Sequence, residues 1–180
     1  MYTFEGVSLR PVEETDLEVL RALRNEQSTW ENLTDIKLIT AEQQKQWFQS
    51  IGTSSTRRYF VACSESHDFL GMVRMNEIDT INNSYRVGCD ILPELRGRGY
   101  GSKVMGVILK YCFDYLNMHR VWLAVASFNL VASKMYAKKG FRLEEAYREA
   151  LYRDGFYHDY HLLSILAQEF KRGAADCEKK

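Results

Sequence analysis

The sequence predicts an α/β (α+β) domain with one mixed central sheet and helices on both faces. Three observations carry this. Strand-like and helix-like stretches alternate along the chain in the order β-α-α-β-β-β-α-β-α-β-β. A glycine-rich hexamer at residues 96–101 joins an apolar stretch ending at Pro93 to a segment of helical spacing. The length of 180 residues suits one core, with no repeat or linker to suggest a second.

Val7-Ser8-Leu9-Arg10 reads as the first strand. Thr15-Asp16-Leu17-Glu18 has the form of a capping box, and Leu17, Leu20 and Leu23 mark one face of the helix it opens. A second box, Thr40-Ala41-Glu42-Gln43, opens a helix with Trp47, Phe48 and Ile51 inward. Between the two helices, residues 25–39 form a polar and aromatic loop holding Trp30, Glu31 and Asp35. Residues 59–63 and 69–75 read as strands around a Ser/His/Asp turn, and residues 85–91 as the next strand after a polar turn at 79–84. Beyond the glycine-rich hexamer, Val104, Ile108, Tyr111 and Tyr115 recur as the inward stripe of an amphipathic helix. A strand at 121–126 and a helix at 130–139 follow, with Gly140 where a left-handed C-terminal cap is wanted. Two strands, around 142–152 and 157–166, complete a single domain of residues 1–170. The charged tail, 171–180, is expected to fray.

Hydrophobic residues make up 46% and charged residues 27%, an ordinary globular balance. The formal net charge is zero, so no global field draws the chain to nucleic acid or an anionic membrane. No apolar run approaches the roughly 20 residues of a membrane helix, and the N-terminus lacks the regions of a signal peptide. Cys63, Cys89, Cys112 and Cys177 show no paired spacing and read as reduced thiols of a cytoplasmic protein, the first three in the core. No metal is expected: C-x-x-C and H-E-x-x-H are absent, and His158 and His161 would point to opposite faces of a strand.

Arg96-Gly97-Arg98-Gly99-Tyr100-Gly101 is the most informative stretch. Alternate glycines let the backbone turn sharply and leave N–H groups uncovered at the start of a helix, where the dipole favours anions. The physical reading is a main-chain cradle for a phosphate or pyrophosphate. A P-loop needs Gly-Lys before Ser or Thr, whereas the order here is Gly101-Ser102-Lys103. A dinucleotide fingerprint needs G-x-G-x-x-G and a carboxylate about 20 residues on, and neither is present.

Arg96-x-x-Gly99-x-Gly101 instead resembles the coenzyme A pyrophosphate loop of the GCN5-related N-acetyltransferase (GNAT) superfamily. Asn129, Tyr136 and Gly140-Phe141 follow with the spacing of the second half of that superfamily's core. The ending, from Gly155-Phe156-Tyr157-His158-Asp159 to Glu169, resembles the RimJ/RimL-type branch. The resemblance implies a mostly antiparallel sheet with one splayed parallel pair, here residues 85–91 and 121–126, and a cofactor, acetyl-CoA, in the gap. Splayed strands leave main-chain groups without partners, and the pantetheine amides would supply them.

Acetyl transfer to an amine needs a neutral amine, a donor to the developing oxyanion and a proton for the leaving thiolate. By the resemblance, N–H groups of residues 98–102, with Gly97, Gly99, Gly101, Tyr100 and Ser102 among the loop, hold the pyrophosphate. Arg96 and Arg98 add charge there, and Ile91, Leu92 and Asn129 flank the pantetheine arm. Tyr136 is implied as the general acid, against the plainer reading of a packed aromatic. Many family members carry a Glu just before Val87-Gly88, and Arg86 stands there. Glu77 and Asp90 are the substitute bases, unless water serves or the amine arrives neutral. Trp30, Glu31 and Tyr157 belong to the expected acceptor pocket, which the resemblance fits to a protein N-terminus, a polyamine or an aminosugar. A small-molecule or peptide amine acceptor is the expected partner, with the chain as monomer or homodimer. A non-catalytic acyl-CoA-binding module on the same fold is the competing reading.

Overall fold

A computed structural model describes the main chain of residues 1–177 and the side chains of residues 1–172. Eight strands form one sheet: β1 (Tyr2–Phe4), β2 (Val7–Pro11), β3 (Arg58–Ser64), β4 (Phe69–Asp79), β5 (Ser84–Ile91), β6 (Arg120–Ala126), β7 (Arg142–Arg153) and β8 (Phe156–Leu166). Their spatial order is β1-β2-β3-β4-β5-β6-β8-β7. Every neighbouring pair is antiparallel except β5 and β6. Among the described residues the α-helices are α1 (Leu17–Asn25), α2 (Gln27–Trp30), α3 (Ala41–Ile51), α4 (Tyr100–Lys110), α5 (Leu130–Lys138) and α6 (Ala167–Cys177).

The parallel pair sets the architecture. β5 and β6 are in register only at Ser84 with Arg120, Tyr85 with Val121 and Arg86 with Trp122. Beyond those three pairs the strands diverge. β5 stays bonded to β4 up to Gly71 with Ile91, and β6 stays bonded to β8 up to Ala126 with Tyr160. The expected splay therefore falls at residues 87–91 and 123–126. At the narrow end, the Arg86 guanidinium lies 5.2 Å from the centre of the Trp122 ring.

The core lies between the sheet and α4. Val104, Met105, Val107 and Ile108 are all fully buried, so α4 is covered on every side and not along one stripe. Tyr111 packs on this core, but Tyr115 is 64% exposed, against the expected stripe. The cause is local: residues Tyr111–Tyr115 form a π-helical turn, which rotates Tyr115 out of the α-helical phase. A second cluster of Val12, Leu20, Val61 and Cys63 is covered by Trp47, Phe48 and Ile51 of α3, as the spacing predicts.

Local chemistry explains the helix starts. At α3 the Thr40 hydroxyl accepts from Gln43 N–H at 3.2 Å while the Gln43 amide accepts from Thr40 N–H at 2.9 Å. The box expected at Thr15 does not form. Asp16 instead accepts from Glu13 N–H at 2.8 Å and takes both guanidinium nitrogens of Arg10 at 2.7 Å. Burial alone would raise the Asp16 pKa, and Arg10 more than offsets it, leaving the carboxyl below its ordinary value.

Three elements depart from expectation: β1, which turns back on β2 through Glu5-Gly6; the short α2 inside the 25–39 loop; and α6. α6 carries residues 171–177 in helix where a frayed tail is expected, and residues 178–180 lie outside the described residues. No helix of the described residues is long and apolar enough to cross a membrane.

Truncating Ile108, which is 0% exposed at the centre of the core, is expected to destabilise the fold by about 3 kcal/mol for Ile108→Ala. Urea denaturation followed by circular dichroism checks this; a loss under about 1 kcal/mol would mean the site collapses around the change.

Candidate active site

The divergence of β5 and β6 opens a cleft that α4 and α5 close from one side. Its wall is built from Ile91, Gly97, Gly99, Gly101, Ser102, Met135 and Tyr136, among others, around a cavity of about 550 Å³. Gly99 caps α4 at φ +84 and Gly97 has φ +75, conformations that side chains rarely adopt. No atom lies within 4 Å of where a Cβ would stand on either glycine. The loop is thus open where a ligand would approach. The N–H groups of Ser102 and Lys103 both return to the Gly99 carbonyl, at 3.1 and 3.2 Å. Those of residues 97–101 have no protein acceptor among the described residues. Five free donors at a helix N-terminus fit a diphosphate.

Main-chain groups also line the wedge. Leu92 N–H donates to Leu70 carbonyl at 3.0 Å, which fixes the alternation along β5. Even-numbered residues of this stretch face β4, so the N–H and carbonyl groups of Val87, Cys89 and Ile91 face the gap left by β6. The Ile91 carbonyl is taken by Arg96 Nε at 2.9 Å. The Cys89 and Ile91 N–H groups face the gap with no strand partner on that side.

Tyr136 stands at the far end of this cleft, on α5. Asn129 starts that helix, its side-chain oxygen accepting from Ala132 N–H at 3.1 Å. The helix ends as Phe141 N–H returns to the Tyr136 carbonyl at 3.1 Å. The Tyr136 ring packs edge-on against Phe141 with centres 5.6 Å apart. Its hydroxyl has no protein acceptor among the described side-chain hydrogen bonds, which favours a ligand-facing role over simple packing. Burial, followed by the neighbouring Cys89, pushes its pKa above the ordinary value, so the phenol keeps its proton throughout the neutral range.

A second cavity, about 310 Å³, lies on the other side of Tyr136, toward the 25–39 loop. It shares Asn32, Cys89, Asp90, Asn129, Ala132 and Tyr136 with the cleft. A third hollow, about 460 Å³, holds Trp30, Glu31, Asn32, Asn129 and His158.

The expected site residues divide accordingly. Ile91, Arg96, Gly97, Gly99, Gly101, Ser102 and Asn129 line the cleft; Leu92, Arg98 and Tyr100 stand beside it. Arg96 is not a free charge for phosphate. Its guanidinium donates to the Ser28 carbonyl and hydroxyl at 3.2 and 2.7 Å and to the Thr29 hydroxyl at 2.6 Å, besides Ile91. It is a strut between the loop and α2. Glu77 lies on a bulge of β4, more than half exposed, paired with Arg86 at 2.8 Å and away from all three hollows. Asp90 lines the cleft, but Arg74 takes its carboxylate with Nη1 and, at 3.2 Å, with Nη2. Neither carboxylate stands as a free base. Trp30 and Glu31 line the third hollow, whereas Tyr157 is 65% exposed on the β7–β8 hairpin, stacked on Tyr152.

Arg24, Asn32, Arg74 and Tyr160 are on the walls without being singled out by the sequence. Gly88 is the one sequence signal for Arg74: a Cβ there would stand 3.2 Å from its guanidinium. Burial raises the Arg74 site's cost, and Asp90 more than offsets it, so its pKa stays above the ordinary value. Burial and the adjacent Asp90 push the Cys89 thiol up to about 12.

A splayed sheet, a glycine-rich anion cradle and a tyrosine between two hollows define an acyl-coenzyme A-dependent transferase. The chain belongs to the GNAT acetyltransferases: the family described as acetyltransferase (GNAT) domain matches residues 7–142. Spermidine N(1)-acetyltransferase of Vibrio cholerae is 26% identical over 164 residues, covering 91% of this chain and 95% of that protein. The crystal structure of that organism's spermidine N-acetyltransferase in complex with CoA and spermine superposes with a TM-score of 0.89 at 25% identity. It covers 93% of this chain and 99% of that one. A dodecameric structure of the Vibrio cholerae enzyme in an intermediate state gives a TM-score of 0.81 at 26% identity, with 93% of this chain and 97% of that one covered. The cofactor is acetyl-CoA, and the free amides of residues 97–101 fit its pyrophosphate.

Two outcomes test this geometry. Gly99→Val forces a branched side chain into φ +84; it is expected to weaken acetyl-CoA binding at least tenfold by calorimetry. Cys89 is half-buried on the cavity walls and not in the core as expected. Desolvation and Asp90 nevertheless raise its pKa, so peptide mapping should find it alkylated by iodoacetamide far more slowly at pH 8 than a free thiol, the rate climbing with pH. Labelling at pH 8 as fast as a free thiol would contradict the raised pKa.

Proposed function

We propose that the chain moves an acetyl group from acetyl-CoA to a primary amine by direct attack in a ternary complex assembled in the β5–β6 wedge. One observation carries the reading: the cofactor cleft and the 310 Å³ cavity meet at Tyr136, so an amine from one side and a thioester from the other arrive at one phenol. Acetyl-CoA supplies the acetyl group and departs as a thiolate. Amides of residues 97–101 hold the diphosphate, and the Cys89 and Ile91 N–H groups are placed to bond the thioester oxygen as it gains charge. Tyr136 donates its hydroxyl proton toward the departing sulfur. Asn129 spends its oxygen on the helix cap and keeps its amide N–H groups for ligand at the junction.

Neither expected base is free to take the ammonium proton, since Arg74 holds Asp90 and Glu77 lines none of the hollows, and Asp35 on the acceptor cavity is turned to solvent. The amine therefore enters neutral, its proton lost to solvent. The acceptor set is a protein N-terminus, a polyamine or an aminosugar. The relatives' names bring the polyamine forward, while the ending at Gly155 to Glu169 is the basis for the RimJ/RimL-type branch. Free thiols at Cys63, Cys89 and Cys112 accord with a cytoplasmic enzyme. A monomer or homodimer suffices for a wedge built from one chain.

Acetyl-CoA is expected to raise the melting temperature, and an amine panel to give free-thiol release; no thermal shift would sink the reading. Tyr136→Phe should lower kcat at least tenfold with KM for acetyl-CoA within about twofold. Equal losses in both would make the residue structural. With wild type, kcat/KM should climb with pH as the amine deprotonates, with no falling limb from Tyr136 below about pH 10, because its pKa lies above the ordinary tyrosine value.

A further inference from the structure

We propose that the acceptor amine also carries an anionic group, a carboxylate or a phosphate, and that Arg24 binds it. The inference deepens the reading above and rests on it.

The 310 Å³ cavity beyond Tyr136 is walled by three arginines, Arg24, Arg74 and Arg86, and two carboxylates, Asp35 and Asp90. Two of the arginines are spoken for. Arg74 is bound by Asp90. Arg86 pairs with Glu77 at 2.8 Å and donates to the Tyr160 hydroxyl at 3.3 Å. Arg24 is different. Its Nη2 donates to the Asp35 main-chain carbonyl at 2.5 Å, while the Asp35 carboxylate stays 3.7 Å away and 65% exposed. That carboxylate accepts from Lys37 N–H at 3.1 Å. Arg24 Nη1 is buried and has no hydrogen-bond partner among the described residues.

A guanidinium keeps its charge at any accessible pH, so its buried N–H groups must find acceptors or carry the cost of lost water. The side chain is held in place by its Nη2 bond and by the Asn25 amide just behind it, which bonds both N–H and carbonyl of Ile39 at 2.8 Å and closes the loop. Arg24 is therefore a fixed, half-satisfied cation at the wall of the acceptor cavity, with its unmet donor just behind that wall. A carboxylate or phosphate in the cavity is the group its charge attracts. A polyamine does not: the cavity offers it Asp90, already held by Arg74, and Asp35, turned to solvent. Its second ammonium would have to run on to Glu31 and Asp154 in the neighbouring hollow, which meets this cavity only at Asn32 and Asn129. The acceptor preference thus departs from the substrate in the relatives' names.

The test uses the full chain at saturating acetyl-CoA and reads kcat/KM by free-thiol release. The acceptors are glucosamine, its 6-phosphate, muramic acid (the same sugar bearing a carboxylate) and spermidine. At least one of the two anionic sugars should exceed both glucosamine and spermidine tenfold or more. Which one does so tells phosphate from carboxylate. Arg24→Gln should cut that preference at least tenfold, and Arg24→Lys should restore part of it. The inference is overturned if glucosamine or spermidine equals the anionic amines, or if folded Arg24→Gln keeps the preference. Should Arg24→Gln fail to fold, the wild-type ranking decides. Thiol release from none of the four, with the acetyl-CoA thermal shift intact, overturns the anionic acceptor and leaves the cofactor reading standing. Loss of that shift in wild type sinks the earlier reading.

Discussion

β5 and β6 stop pairing after Arg86 and Trp122, and the rest of the site depends on that separation. Each strand keeps its other partner, β4 on one side and β8 on the other, so the sheet remains whole while its middle opens. The main-chain groups of Val87, Cys89 and Ile91 are left facing the gap. Unpaired buried amides are costly, which makes the empty wedge a place where an extended amide-bearing ligand is stabilised as if it were a strand. Arg86 stacked on Trp122 sits where pairing ends and opening begins.

Two arginines then convert this opening into a rigid reaction chamber. Arg96 bonds Ile91, Ser28 and Thr29 together, tying the end of β5 to α2 within the 25–39 loop. Arg74 and Asp90 form a nearly enclosed pair beneath Tyr136 and Cys89. Such a pair adds little net stability, since the desolvation of two charges offsets their attraction. Its effect is positional: it fixes the floor where the two cavities meet. The same pairing occupies the Asp90 carboxylate, and Tyr136 is left as the one titratable hydroxyl lining both hollows.

Legibility in the sequence followed the range of the interaction. Features made within a few residues were readable. The Thr40 capping box and the glycine-rich turn into α4 each depend on neighbours along the chain, and each is present. The Thr15 box was misread because Arg10, six residues away, draws Asp16 into a different bond set. Tyr115 was misplaced because a π-helical turn breaks the 3.6-residue period on which the stripe was counted. The roles of Arg96, Asp90 and Glu77 were beyond reach for a plainer reason. Arg96 meets partners 67 and 68 positions away, Asp90 meets Arg74 at 16, and Glu77 leaves the site on a bulge.

By itself, then, the sequence determined most of the strand and helix order, though not β1, α2 or α6, and the tyrosine on the helix after the second splayed strand. It placed the anion cradle at residues 98–102, one residue late, because the Ser102 N–H turns back to Gly99. Backbone conformation and short-range hydrogen bonds dictate all three. Only the tertiary structure decided which charges remain available. Folding ties Arg74 to Asp90, Arg86 to Glu77 and Tyr160, and Arg96 to main-chain and hydroxyl oxygens. Arg24 keeps an unmet donor because its partner carboxylate faces water, a fact of three-dimensional position that no spacing along the chain encodes.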